Sequence, residues 1–361
     1  DAIHIVNTGT GTATVQIAIG TVKTDTLNVN AGQATYVTYP GIVGGPVHIT
    51  SNQPIWATQR ILGWTAMQEI YGMPGDVPSV DIVFTWYDLV NANSDDIYII
   101  NPSVTQTASV DLYIAGVLRK GELSVAPGEA AAVSFPDVVG GPLRIFSTVP
   151  VFASQRVIGF NDFAEIIGLP CWYTFTETWF NWYDMQGAEW AAIHILNPGT
   201  RTANVNIYIG GLLRGSLSLA AGAADYRYFP GLIGGPVRVA SDQPIWVTQR
   251  VVGWGGWKEV FGVPTTLANT QWYMTWYDMQ YAKWDAIHLM NPSTMEAQVQ
   301  VYVGGELRSG ISVAAGQAVY VTYPDLIAGP VRIFSTVPIM SSQRILGWGS
   351  FEETIGASFT T

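Results

Sequence analysis

Four arginine–glutamate pairs recur with one nine-residue spacing: Arg60 with Glu69, Arg156 with Glu165, Arg250 with Glu259 and Arg344 with Glu353. A carboxylate beside a guanidinium is familiar acid–base machinery, because the cation tunes the acid and can hold an anionic substrate group. Fourfold repetition argues against that role. An active site is seldom kept in four tandem copies, whereas a buried ion pair that holds a fold together recurs in each copy of the fold. The eight residues are read as structural ion pairs. The guanidinium has an aromatic residue to stack on four positions upstream in three copies (Trp56, Phe152, Trp246), but Met340 stands there in the fourth, so stacking is not the common role.

The other candidates for chemistry fare no better. His4, His194 and His288 share one repeat position, yet Tyr98 replaces them in the second copy, which points to an aromatic-sized strand residue rather than a metal ligand or general base. His48 stands where the other copies carry Arg144, Arg238 and Arg332, an exposed cationic position. Asp88, Asp184 and Asp278, with Asp95, Asp96, Glu189 or Asp285 nearby, are where a hard cation such as calcium would bind; their spacing matches no EF-hand or repeat-type loop, so no metal and no cofactor are expected. The chain has no G-x-S-x-G, P-loop, G-x-G-x-x-G, H-E-x-x-H or paired-cysteine motif, and it is read as a non-enzyme. The "NP" turns (Asn101-Pro102, Asn197-Pro198, Asn291-Pro292) end strands, and their proline disqualifies "NPS" as a glycosylation site.

Composition narrows the class. Of the 361 residues 48% are hydrophobic and only 12% charged, so a sizeable core is assured and solubility rests on neutral polar groups, a balance typical of extracellular β-rich proteins. A net charge of −11 with only four lysines leaves no basic stripe for nucleic acid, and no run of 18 apolar residues exists to span a membrane. Cys171 is the one cysteine, which excludes an intrachain disulfide. The opening "DAIHIVN" is strand-like from its first residue, as expected of a mature or trimmed product.

What positions all these residues is internal repetition. "PIWATQRILGW", "PVFASQRVIGF", "PIWVTQRVVGW" and "PIMSSQRILGW" begin at residues 54, 150, 244 and 338, and Asn7, Asn101, Asn197 and Asn291 keep the same beat. Four units follow: 1–75, 76–170, 171–265 and 266–361. Within each, apolar residues alternate, as in Val205, Ile207 and Ile209, and turn signals fall every 8 to 12 residues. About seven short strands per unit predict an all-β chain of four tandem immunoglobulin-like antiparallel β-sandwich domains. A four-bladed propeller would close a ring, but its blades need only about 40 to 50 residues, so the units are expected in a row, as a rod.

The segments joining units, such as "GLPCWYTFTETWFNWYD", are too aromatic for flexible linkers. Trp86, Trp182 and Trp276 recur and belong to each unit's own core, whereas Trp172, Tyr173, Phe175 and Trp179, with Trp272 and Tyr273, are candidates for an interface or a glycan-stacking platform. The first unit lacks the "WYD" strand that precedes the other three, which would leave an unpaired edge open to strand addition.

The pattern "WYDM…AIHILNPGT…ANVNIYIGG…GGPVRVASDQPIWVTQRV" resembles the tandem immunoglobulin-like β-sandwich repeats of secreted bacterial surface proteins across almost the entire chain. The resemblance implies an extracellular or cell-surface structural role and carries over no catalytic residue. The expected function is a structural protein that self-assembles head to tail, by strand addition, into a filament, sheath or surface layer. The alternative is an adhesin or carbohydrate-binding array, with polysaccharide as partner.

Overall fold

The structure is a computed structural model that describes residues 1–63, 66–75, 77–159 and 161–358. The unit limits at Asp76 and Thr361 lie outside these residues.

The third copy shows the plan. A leading strand (Phe175–Phe180, continued by Tyr183–Asp184) is followed by Trp190–Leu196, Ala203–Ile209, Leu212–Leu219, Ala224–Tyr228 and Ile233–Gly234. A long strand, Val237–Gly253, and a return strand, Gly256–Phe261, complete it. One sheet runs Leu212–Leu219, Ala203–Ile209, the first half of the long strand, then the leading strand. The other runs Ala224–Tyr228, Trp190–Leu196, the second half of the long strand, then the return strand. The long strand therefore serves both sheets of an antiparallel sandwich. Alternation does the rest: Val205, Ile207 and Ile209 from one sheet meet Ile193, Ile195 and Val247 from the other in a closed core. Each such side chain contributes on the order of 1.5 to 3 kcal/mol.

Asparagine pins the turns. The buried Asn197 donates its amide to the carbonyls of Arg201 (2.7 Å) and Leu219 (2.9 Å), while its Oδ1 accepts from Gly199 N (3.0 Å). Asn7, Asn101 and Asn291 repeat this arrangement. An apolar residue there would leave buried backbone carbonyls unpaired.

The copies do not form the expected rod. The return strands Ala66–Tyr71, Asp162–Ile167, Gly256–Phe261 and Ser350–Ile355 pack side by side around one axis, and the first also packs against the last. The chain closes into a ring. Each leading strand is hydrogen-bonded within its own copy, but its outward face seats on the following copy, so buried surface sets the angle between neighbours. Three such seatings, copy 2 on copy 3, copy 3 on copy 4 and copy 4 on copy 1, bring the chain back to copy 1, where Thr275 donates to Glu69 (2.8 Å) and the Tyr71 hydroxyl donates to the carbonyl of Ile355. Repeat length was a poor guide because closure depends on that angle, not on the number of residues per unit.

Copy 1 departs from the plan. Its outer sheet has three strands, Lys23–Val29, Ala13–Ile19 and Val47–Ser51, and among the described residues no strand pairs with the outer edge of Val47–Ser51. The long strand is also split there, into Val47–Ser51 and Ile55–Gly63.

Candidate functional site

Chemistry-bearing side chains concentrate at the junctions between copies. Each arginine and glutamate of the recurring pair lie opposite each other in the final hairpin. In copy 1, Arg60 donates from Nε (3.1 Å) and Nη2 (2.5 Å) to Glu69 Oε2, and Oε1 accepts from Thr58 (2.7 Å) and from Thr275 of copy 4 (2.8 Å). Glu259 likewise accepts from Arg250, from Thr248 and from Thr85 of copy 2. Arg344 pairs with Glu353, beside a contact of Asn181 with Ser342 (2.5 Å). Burial pushes the Glu69 carboxyl up, but the Arg60 charge outweighs it and holds the group at about 2. It stays ionised throughout the neutral range, unlike a general acid. Arg156, Arg250 and Arg344 lie over Phe163, Trp257 and Phe351 of the return strand rather than over the residue four positions upstream.

The histidines have an interfacial place. His194 stacks on Tyr226 (5.1 Å), and Trp86 of copy 2 packs edge-on against both, at 5.9 and 6.1 Å. Trp182 meets His288 and Trp276 meets His4 in the same way at the next two junctions. Burial, reinforced by the Arg250 charge, lowers His194 to about 3; His4 falls to about 4 from burial and Arg60. These imidazoles are neutral aromatic plates. Among the described residues no three His, Cys, Asp or Glu side chains converge as metal ligands.

The aspartates cap turns. Asp88 accepts from the backbone of Val90 and Asn91, Asp184 from Gln186 and Gly187, and Asp278 from Gln280 and Tyr281. Asp95 and Asp285 are buried, each accepting a backbone N–H (from Asp88 and Asp278) and a glutamine amide (from Gln155 and Gln343). Burial raises both to about 7.

At the ring centre lies a cluster that the sequence reading did not single out. Lys258, 2% exposed, donates to Gln68 Oε1 of copy 1 and to the Phe163 carbonyl of copy 2, both at 2.8 Å; its Nζ lies 3.4 Å from Asp162 and 3.6 Å from Glu352 of copy 4. Asp162 also accepts from Trp257 N (2.8 Å) and Ser350 (2.9 Å). A Cβ on Gly256 would stand 2.3 Å from Asp162, so only glycine lets the carboxylate approach. A signal was present: Gln68, Ala164, Lys258 and Glu352 share the repeat position before the recurring glutamate, and one of only four lysines occupies it opposite an acid.

The six aromatic candidates divide. Trp172 is 68% exposed. Tyr173 is half-buried with Val83 of copy 2 and Leu196 and Trp246 of copy 3, and Phe175 packs edge-on against it at 4.9 Å. Trp179 joins the copy 4 core beside Met290 and Met340. Trp272 is buried inside copy 4, and Tyr273 is buried under Arg332 facing copy 1. Five of the six thus fill copies or junctions within one chain.

The junction between copies 1 and 2 lacks a leading strand among the described residues. Val47 is 37% exposed and Ile49 half-buried, whereas their counterparts Val237 and Val239 are fully buried. On the facing wall, Ile100 and Phe152 are half-buried where Leu196 and Trp246 are covered. The Arg156–Glu165 pair is the most exposed of the four, and among the described residues Glu165 Oε1 accepts only from Ser154 of its own copy. The chain matches no family of known proteins and no curated protein sequence.

Proposed function

We propose that this chain is a non-enzymatic structural protein of the cell exterior that self-assembles head to tail, by strand addition, into a filament, sheath or surface layer. The single observation that carries the reading is the edge of Val47–Ser51, which no described strand covers, in a ring whose other three copies close that sheet with their own leading strand. An unpaired edge with apolar flanks templates another strand. Among the described residues the long-strand side of this sheet is uncovered in copy 1 alone, which makes the contact heterologous, and a heterologous contact that does not close on itself propagates. The ion pairs support a structural role, since both oxygens of each glutamate are engaged within the protein. The low charge content supports an exterior location. The two-sheet unit supports kinship with immunoglobulin-like surface repeats, with the departure that one long strand serves both sheets.

Electron microscopy and sedimentation of wild type and Ile49→Lys, across protein concentration, pH and calcium, test the reading. Ordered polymers from wild type and isolated particles from the variant are expected; wild type that stays monomeric under all conditions sinks it. The exposed Trp172, with Tyr226 and Tyr320 also exposed, supports the second reading, an adhesin that stacks sugars on aromatic rings. Glycan-array binding lost in Trp172→Ala is its test.

A further inference from the structure

We propose that the outward face of one copy 4 sheet, centred on Arg332, binds a uronic acid unit of a polysaccharide through its carboxylate. The site lies apart from Trp172 and from the Val47–Ser51 edge, so it stands or falls independently of both readings above.

Arg144, Arg238 and Arg332 occupy one repeat position, and the first two show what it holds. Arg144 donates from Nε (2.9 Å) and Nη2 (2.6 Å) to Asp81, and Arg238 donates from Nε (2.8 Å) and Nη2 (2.5 Å) to Glu177. Each acid stands on the leading strand two residues before the one opposite the arginine. In copy 4 that position is Gln271, and among the described residues no carboxylate pairs with Arg332. A planar guanidinium fork matches a planar carboxylate. The two filled copies thus set the chemistry of the ligand at the third.

Without an acid the side chain takes another course. Arg332 lies over the Tyr273 ring at 5.3 Å, its Nη2 donates to the Tyr273 hydroxyl at a long 3.3 Å, and its Nε is buried with no partner among the described residues. The fork leans across the junction toward copy 1, where a Cβ on Gly32 would stand 3.7 Å from Nη1. A Cβ on the equivalent Gly222 or Gly316 would meet nothing within 4 Å, since Arg144 and Arg238 are held back by their acids. A buried N–H without an acceptor forfeits a hydrogen bond. An incoming carboxylate restores it by drawing the fork back above Gln271, into the geometry of copies 2 and 3.

The surroundings select a sugar acid over a bare one. The sheet is formed by Ala297–Val303, the first half of Val331–Gly347 and Asn269–Met274. On its outward face Tyr302 stands opposite Arg332, and Phe334 packs edge-on against Tyr302 at 5.7 Å, both half-exposed. Gln300 and Gln271 flank Phe334 on the two neighbouring strands. Aromatic faces stack on the apolar face of a pyranose, and an amide offers both donors and an acceptor to its hydroxyls. Copy 2 places Asp81 and Asp111 on this face and copy 3 places Glu177 there, whereas the acids at the rim of copy 4 are engaged. Glu296 accepts from Gln298 (2.7 Å), and Glu306 pairs with Arg308 (2.7 Å).

The test titrates the full chain by calorimetry with trigalacturonate and with its methyl ester, which keeps the sugar and removes the charge. Saturable one-to-one binding of the acid is expected, with the ester weaker by about tenfold or more. Arg332→Gln should weaken the acid by about tenfold or more, and so should Gln271→Glu, which rebuilds the Glu177–Arg238 pair in copy 4 and keeps or raises the urea midpoint. Phe334→Ala should weaken it by about threefold or more. Asn206→Glu, which adds the same charge on copy 3, and Trp172→Ala should stay within about threefold. No saturable binding overturns the proposal, as does an ester that binds as tightly as the acid or undiminished binding by Gln271→Glu. Tighter binding of a triglutamate peptide than of trigalacturonate also overturns it, because the fork then serves a protein carboxylate.

Discussion

Replacing Lys258 by methionine tests ring closure at its centre. At an effective dielectric of about 20, the 3.4 Å contact with Asp162 is worth roughly 5 kcal/mol of Coulomb attraction, most of it offset by the desolvation of both ions. Removing one partner leaves the other buried and uncompensated, which costs about 3 to 5 kcal/mol. The Gln68 and Phe163 oxygens lose their donor as well. Lys258→Met is therefore expected to destabilise the chain by about 3 to 5 kcal/mol, read as a lower urea midpoint at unchanged slope by tryptophan fluorescence. The decisive measurement is a double-mutant cycle with Glu352→Gln, because the two residues belong to copies 3 and 4 and meet only where the return strands converge. Burial raises Glu352 to about 8, against the pull of Lys258, so the carboxyl is largely neutral at pH 6 and charged at pH 9. A coupling of about 1 kcal/mol at pH 6, growing at pH 9, is expected. Single effects that add within about 0.5 kcal/mol at both pH values would refute the convergence of the copies on one axis.

Two further predictions concern buried carboxylates. Asp95 and Asp285 have folded pKa values raised to about 7 from an ordinary 3.8, so the stability they contribute is full below about pH 4 and is lost as pH rises through 7. The loss is on the order of 4 kcal/mol per aspartate at its limit. Asp95→Asn with Asp285→Asn should stabilise the chain at pH 8 and be level or worse at pH 4; an equal effect at both pH values in urea melts contradicts this. A neutral group fits beside Gln155, whose Oε1 has no partner among the described residues and can accept from it once the amide turns over. Glu259→Ala should cost about 3 to 5 kcal/mol by stranding the buried Arg250, whereas Glu165→Ala should cost about 1 kcal/mol, since Arg156 is 29% exposed. The reverse ranking of urea midpoints would overturn the assignment of the open junction to copy 2.

The four-copy beat, the alternating strands and the nine-residue arginine–glutamate spacing are local properties of the chain. They make antiparallel sandwiches with an ion pair across each final hairpin legible from sequence, because a two-residue period and a tight turn place those side chains opposite each other whatever surrounds them. The histidine position was legible as aromatic, but not its partner, since the tryptophan facing His194 comes from 108 positions earlier, in another copy. Ring closure, the Lys258 cluster and the packing of Tyr173, Trp179 and Tyr273 against neighbouring copies depend on the angle between neighbours, which no periodicity encodes. The clearest contrast lies in two nearly identical stretches. "SDQP" (241–244) runs through one continuous strand in copy 3, while "SNQP" (51–54) interrupts the strand in copy 1. Residue types at the kink are almost the same. The difference is the neighbour: Phe175 of the leading strand pairs across the kink with Ile245, and no described residue does so beside Ile55.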